Sequence, residues 1–350
     1  MMKAAVYDGT PKIKLTELPV PQVGPKEALL KVHACGICGT DMRILASGHH
    51  RIPPGSLHVL GHELAGEIVE VGSEVSWPKV GMRVSISPNM GCGHCDMCIQ
   101  GYTQLCANYI SFGVYLNGGF AEYTLIPREA IEQGNVVEIP ANLSFEEAAV
   151  NEPLSCAFRG MMACHPQPGE TVLVVGAGPI GLMHMKVAKA VGAGKVIISE
   201  PSPERAKQAK EMGADYVINP REQNLAEAIA ELTNGRGADV AVVAVPSGAA
   251  QAETLGLLAY HGRINFFGGL PKGNDLAQIQ SNLVHYRELV ITGTTGQTVK
   301  QYRTTMEMIG NGQIEVASLV TDKFALKDAV AAFEKATDRT GLKTMILPNS

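Results

Sequence analysis

Thr171-Val172-Leu173-Val174-Val175-Gly176-Ala177-Gly178-Pro179-Ile180-Gly181 is a run of strand-forming apolar residues that breaks into a glycine turn and then opens a helical pattern. Gly176 allows the tight turn, Gly178 lets backbone approach a pyrophosphate, and Gly181 lets the helix pack on the strand. The helix N-terminus then faces the phosphates. The same glycines would also serve packing alone. Their flanking elements decide against that, together with Glu200, which stands 19 positions after Gly181 at the end of the next apolar strand. A carboxylate there accepts hydrogen bonds from adenosine ribose hydroxyls, which favours NAD over NADP. A 2′-phosphate beside Glu200 would meet like charge, partly offset by Arg205.

Outward from this turn, apolar strands alternate with amphipathic helices, the pattern of right-handed βαβ crossovers. Strands are expected at 171–175, 195–199, 216–218, 240–245, 263–267 and 289–292. Helices are expected at 179–191, 203–212, 225–232, 249–258 and 300–309. Six strands complete a doubly wound parallel sheet. Before this region, residues 1 to about 153 form short apolar runs broken by Gly and Pro, such as 67–71 and 83–86, and predict an irregular all-β domain. After it, 327–336 reads as a helix and 343–347 as a strand returning to the first domain. The expected division is 1–152, 153–294 and a C-terminal segment 295–350.

At 350 residues the chain is long enough for two domains of roughly 150 residues each. Lys and Arg number 29 against 34 Asp and Glu, so no basic surface points to nucleic acid. The most apolar stretch, 171–192, carries four glycines and two lysines and is a poor membrane span. The chain starts directly in strand-like residues without a signal core, so a cytoplasmic protein with no membrane partner is expected.

Six of the eight cysteines fall in two tight clusters, which favours metal over disulfides. Cys92, Cys95, Cys98 and Cys106 place four thiols within fifteen residues. That spacing suits tetrahedral Zn²⁺ in a structural role, with all four positions filled by protein. An iron–sulfur cluster also uses four thiolates, but no second cluster motif accompanies this one.

Three further pieces are rich in ligands: Cys35 to Asp41, Gly61-His62-Glu63 and Asn151-Glu152-Pro153. A catalytic zinc needs protein ligands that leave one coordination position open, and Cys38, His62 and Glu152 can supply them, with Glu63 binding directly when the site rearranges. Alone, Cys-Gly-Ile-Cys is equally a reduced dithiol and His62-Glu63 an ordinary pair. Cys35, Cys156 and Cys164 read as core thiols.

Taken together with Gly118-Gly119-Phe120-Ala121-Glu122-Tyr123 and the glycine turn, these segments resemble the zinc-containing medium-chain alcohol dehydrogenases, in their polyol (sorbitol or iditol) branch, over essentially the whole chain. The resemblance implies an α/β fold: a doubly wound Rossmann domain plus an irregular, mostly β GroES-like catalytic domain. It implies two zinc ions and NAD, and transfer of a hydride from a secondary hydroxyl of a small polyol. Alcohol enzymes of that family carry a cysteine as third zinc ligand, whereas polyol and threonine dehydrogenases carry a glutamate, here Glu152. It further implies that Pro179, Ile180, Glu200 and Arg205 lie at the cofactor, that Gly268 and Gly269 line the nicotinamide side, and that Thr40 hydrogen-bonds the substrate oxygen. Relatives are commonly dimers or tetramers, and a tetramer is expected.

Two departures stand out. Where most relatives end a proton relay with a histidine, this chain has Arg43, which cannot accept a proton; solvent, or His49, His50 or His58, takes that part. Gly296 and Gln297 stand where sorbitol enzymes carry larger contacts. The basic stretch His49-His50-Arg51 suits a phosphorylated polyol or is a solvated loop. Rival functions are threonine dehydrogenase, phosphorylated-polyol dehydrogenase, a zinc-free quinone reductase of the same fold, and a non-catalytic zinc protein that senses NAD.

Overall fold

The structure, a computed structural model, describes residues 1–338 and 340–350. The chain forms two compact units, Leu154–Gly296 and a second made of Met1–Pro153 with Gln297–Ser350.

The unit Leu154–Gly296 is a six-stranded parallel sheet. Its strand order is Tyr216–Ile218, Lys195–Ser199, Thr171–Val175, Ala238–Val243, Leu258–Phe266, Val290–Gly293. Successive strands run outward in one direction from Thr171–Val175 and then in the other, so the carboxyl ends of Thr171–Val175 and Ala238–Val243 flank the switch point where such sheets open a crevice. Central strands are β-branched and buried on both faces, as parallel strands must be when helices cover both sides. Three of the expected elements of this unit are shifted by two residues or more, and the helix Ser281–Arg287 is one the sequence reading does not contain. The strand expected at 240–245 is Ala238–Val243, the one expected at 263–267 starts at Leu258, and the helix expected to reach 258 stops at Leu255, where Gly256 caps it.

In the other unit a seven-stranded sheet carries the order Val136–Glu138, Arg83–Ile86, Glu63–Val71, Ala28–Gly36, Lys343–Leu347, Val320–Ala325, with Tyr123–Ile126 also on Ala28–Gly36. The C-terminal strand pairs antiparallel with Cys35 and Gly36, and one core of Val, Leu, Ile and Phe fills this unit. The region up to 153 is not all β. Asn151 and Glu152 lie on an 18-residue helix, Phe145–Met162, with Pro153 inside it. Its start is a reciprocal cap: Ser144 Oγ accepts from the Glu147 N–H at 3.2 Å while Glu147 accepts from the Ser144 N–H at 2.9 Å. Among the described residues no helix is long and apolar enough to cross a membrane.

Candidate functional site

In the parallel-sheet unit the glycine turn is as tight as a phosphate-binding turn requires. Gly176 has φ +103°, and a Cβ on Gly181 would collide with the Gly176 carbonyl oxygen, so helix and strand meet without room for a side chain. Pro179 and Ile180 start the helix Pro179–Ala190. Glu200 is buried at the end of its strand, and its two oxygens accept from the Ala177 N–H at 2.8 Å and the Ser202 N–H at 2.9 Å. The carboxylate thereby ties the glycine turn to the neighbouring strand end. An Arg205 guanidinium nitrogen lies 3.7 Å from where a Gly178 Cβ would stand. Gly268 sits against the Val245 backbone and accepts from Gln251 Nε2 at 3.2 Å, whereas Gly269 has open space around it.

In the other unit, Cys38, His62 and Glu63 each bring one ligand atom to within 4.8 Å of the others. Cys38 caps the N-terminus of the helix Gly39–Ser47, and His62 and Glu63 enter the strand Glu63–Val71. Asp41, wholly buried, fixes both segments: it accepts from the Cys38 N–H at 2.8 Å and the Gly61 N–H at 3.2 Å. Its Oδ1 also lies 3.8 Å from His62 Nδ1. Burial raises the Asp41 pKa, opposed by His62 and those two amides. Glu63 is buried against Lys343 of the C-terminal strand. Lys343 Nζ lies 2.6 Å from Glu63 Oε1 and 2.5 Å from Oε2, and donates to the Ile37 carbonyl at 2.9 Å. Burial works against the ammonium, but Glu63, Cys38 and Glu152 outweigh it and raise the Lys343 pKa. Gly36 is required beside this pair, since any Cβ there would strike the Glu63 carboxylate.

Glu152 is buried but stands outside the Cys38–His62–Glu63 group; its charge acts on both His62 and Lys343. The His62 pKa is raised well above the usual imidazole range. Burial disfavours the cation, yet Cys38, Asp41 and Glu152 more than compensate. This pocket of sulfur, nitrogen and oxygen donors therefore carries a field that favours positive charge, and the donor set suits Zn²⁺.

Thr40 is held by Arg43, whose Nη2 donates to Thr40 Oγ1 at 3.0 Å. The His49 and His50 rings lie 4.5 Å apart between centroids, tilted by 37°, and the Arg51 guanidinium lies 5.5 Å from the centre of the Tyr115 ring. Burial, His50 and Arg51 lower the His49 pKa. His58 Nε2 is buried with no hydrogen-bond partner.

The cysteine lobe brings Cys92, Cys95, Cys98 and Cys106 within 4.8 Å of one another. Their surroundings set their titration apart: amides of His94 and Cys95 lower Cys92 to about 6, while burial pushes Cys98 up to about 12. Gln133 clasps the lobe by accepting from the Gly91 N–H at 3.0 Å and donating to the Gly91 carbonyl at 2.8 Å. Four mutually close thiols with no further position suit a closed structural zinc.

Sequence reasoning assigned no role to Asp41 and treated Lys343 only as a strand residue. A lysine opening the apolar run Lys343-Thr344-Met345-Ile346-Leu347 is itself a signal, since a buried ammonium needs a buried anion.

The chain matches the family model described as zinc-binding dehydrogenase over residues 179–311 and the alcohol dehydrogenase GroES-like domain over residues 24–140. It is 37% identical to a sorbitol dehydrogenase of Bacillus subtilis (strain 168), covering 99% of this chain and 98% of that protein. It is 38% identical to an L-threonine 3-dehydrogenase of Pyrococcus furiosus, covering 89% and 88%. Among solved structures it superposes, with a TM-score of 0.89 and 31% identity over 99% of each chain, on a protein of Sinorhizobium meliloti 1021 described as a zinc-binding dehydrogenase bound to NADP.

Proposed function

The chain belongs to the zinc-binding dehydrogenases with an alcohol dehydrogenase GroES-like domain, and from that premise we propose that it oxidises a secondary hydroxyl of a small polyol, passing the hydride to NAD. The observation that carries this reading is the convergence of the Cys38, His62 and Glu63 ligand atoms within 4.8 Å. Cys38, His62 and one carboxylate, Glu63 or Glu152, would hold the catalytic ion, and Cys92, Cys95, Cys98 and Cys106 a structural one. Bound there, zinc supplies a Lewis acid that lowers the pKa of a substrate hydroxyl. His62 would use Nε2, since Nδ1 faces Asp41. Lys343 holds the Glu63 carboxylate in place.

Thr40 would orient the substrate oxygen. Because Arg43 only donates, Thr40 Oγ1 accepts from it and keeps its own hydrogen for the substrate, and the leaving proton ends in solvent instead of on Arg43. Glu200 and the glycine turn with Pro179, Ile180 and Arg205 would hold the dinucleotide, with Gly268 and Gly269 leaving room at the nicotinamide. Glu200 supports NAD over NADP. Replacing Cys38 with Ser is expected to abolish turnover and leave NADH binding, followed by its fluorescence, intact; undiminished turnover overturns the assignment.

A phosphorylated polyol is a second reading, favoured by Arg51 and the paired His49 and His50. A panel of sugar alcohols, their phosphates and threonine, followed by NADH absorbance, separates these substrates. An NAD-sensing protein without chemistry would hold one zinc per chain instead of two.

The strand Val290–Gly293 closes the edge of its sheet with Val290 50% and nearby Tyr286 72% exposed. We propose that this edge pairs with a second copy in a homo-oligomer, dimer or tetramer; light scattering of a Val290→Lys variant tests it, a retained oligomer counting against it. None of the eight cysteines is in a disulfide, which suits a reducing compartment, and the cytoplasm is the proposed location.

A further inference from the structure

A buried hydroxyl pair lies behind the ligand-bearing segments and belongs to none of the motifs above. Tyr302, on the helix Val299–Gly310, has 0% exposure, and its Oη lies 2.5 Å from Ser85 Oγ on the strand Arg83–Ile86, also fully buried. Ser85 Oγ is in turn 2.9 Å from the Ala148 carbonyl and 3.2 Å from the Leu64 carbonyl. Carbonyls only accept, so the Ser85 hydrogen is shared between them and the Tyr302 hydroxyl donates to Ser85. Leu64 directly follows His62-Glu63, and Ala148 stands one helical turn before Glu152. The adjoining Asn151 closes the circuit by donating from Nδ2 to the Tyr302 carbonyl at 2.9 Å.

We propose that Tyr302 and Ser85 are positioning residues that set the distance between the His62-Glu63 strand and the Glu152 helix, and so the geometry offered to the metal. The chemistry fits this use. The two ligand-bearing elements come from distant parts of the chain, and a hydroxyl hydrogen-bonded to both fixes their carbonyls by distance and angle, where apolar contact is non-directional. A phenylalanine and an alanine would fill the same space with no polar requirement. The polar pair instead fixes the spacing of two backbones, one leading from His62 and Glu63 and the other carrying Glu152. This inference rests on the metal-centre reading above.

The test uses the zinc-loaded full chain and its cobalt-substituted form. Wild-type protein is expected to hold two ions per chain, with the open-site cobalt giving a distinct visible band; finding only the lobe ion would overturn the metal-centre reading itself. Given two ions, Tyr302→Phe is expected to speed chelator-driven release of the open-site ion about tenfold or more and to shift its cobalt band, with release from the cysteine lobe unchanged. Ser85→Ala is expected to do the same, and the double variant no more than either alone, because the pair acts as one tether. Thermal midpoints of each variant accompany these readouts, and if Tyr302→Phe fails to fold, Ser85→Ala carries the test. A purely structural role lowers the midpoint without moving the cobalt band or the release rate. Release within twofold of wild type and an unshifted band in the folded variants would refute the proposal.

Discussion

Replacing Lys343 with Met keeps most of the aliphatic stem and deletes the ammonium from a pair that water does not reach; the side chains of Lys343 and Glu63 are 5% and 0% exposed. Removing one partner of a buried ion pair leaves an uncompensated charge and costs about 3–5 kcal/mol, far above the ~0–1 kcal/mol of a surface pair. The Ile37 carbonyl also loses its donor. In urea titrations the transition of the unit that contains Lys343 should move by that amount at unchanged slope. A thermal midpoint should fall by about 6–20 °C, at roughly 2–4 °C per kcal/mol for a unit of this size. Adding Glu63→Gln removes the stranded charge, and the double variant should recover to within about 1 kcal/mol of the parent. The sign of the pH dependence follows from Lys343. Its folded pKa is raised, so the stability it contributes is complete below the unfolded value near ~10.4 and is lost as pH rises past that through the folded value. The gap between wild type and Lys343→Met is therefore flat from about pH 6 to 9 and narrows only in strong alkali. A single variant within about 1 kcal/mol of wild type, or a double variant as unstable as the single, refutes the assignment of this pair as a charged buried contact.

Other outcomes follow from the same geometry. Asp41→Asn replaces an acceptor of two amide hydrogens by a group that presents one acceptor and one donor; open-site metal affinity should fall 10–100-fold, measured by competition with a chromogenic chelator. Glu200→Ala frees the Ala177 and Ser202 amides and removes the anion that would repel a 2′-phosphate. NADH affinity should weaken about tenfold and the NADH/NADPH ratio move towards NADPH, read by fluorescence titration. Cys106→Ser should cost the lobe its ion, lowering zinc content from two to one per chain and opening residues 92–106 to protease.

The parallel sheet was legible because its strands are short apolar runs between Gly, Pro and charged helices, and strands 171–175, 195–199 and 216–218 begin and end where the residues change character. The errors lie where two signals compete. Leu257 and Leu258 continue the apolar spacing of the helix before them, yet Gly256 ends that helix and the residues feed the next strand. The helix carrying Glu152 was missed because Pro140 before it and Pro153 inside it masked Ser144 and Glu147, whose spacing is a helix-start signature. Candidate ligands announce themselves by residue type. Their supports do not: Lys343 meets Glu63 across 280 positions and Tyr302 meets Ser85 across 217, and neither distance leaves a local pattern.

That division has a physical reason. A thiolate and carboxylates gathered on one spot repel one another, and every polar ligand resists burial, so a chain that places them together must hold each backbone against those costs before any ion arrives. Here the holding groups are of three kinds: a carboxylate that accepts two amides, Asp41; a cation that neutralises one ligand, Lys343; and a hydroxyl pair that spaces two strands and a helix, Ser85 and Tyr302. Only the cation balances charge, and Cys38, Asp41 and Glu152 still act together on His62 to raise its pKa. The residual negative field is the quantity a divalent ion would relieve. Apo protein should therefore gain more stability from Zn²⁺ at the Cys38 site than from an extra proton on His62, and the gain should grow as pH rises and protons cease to compete.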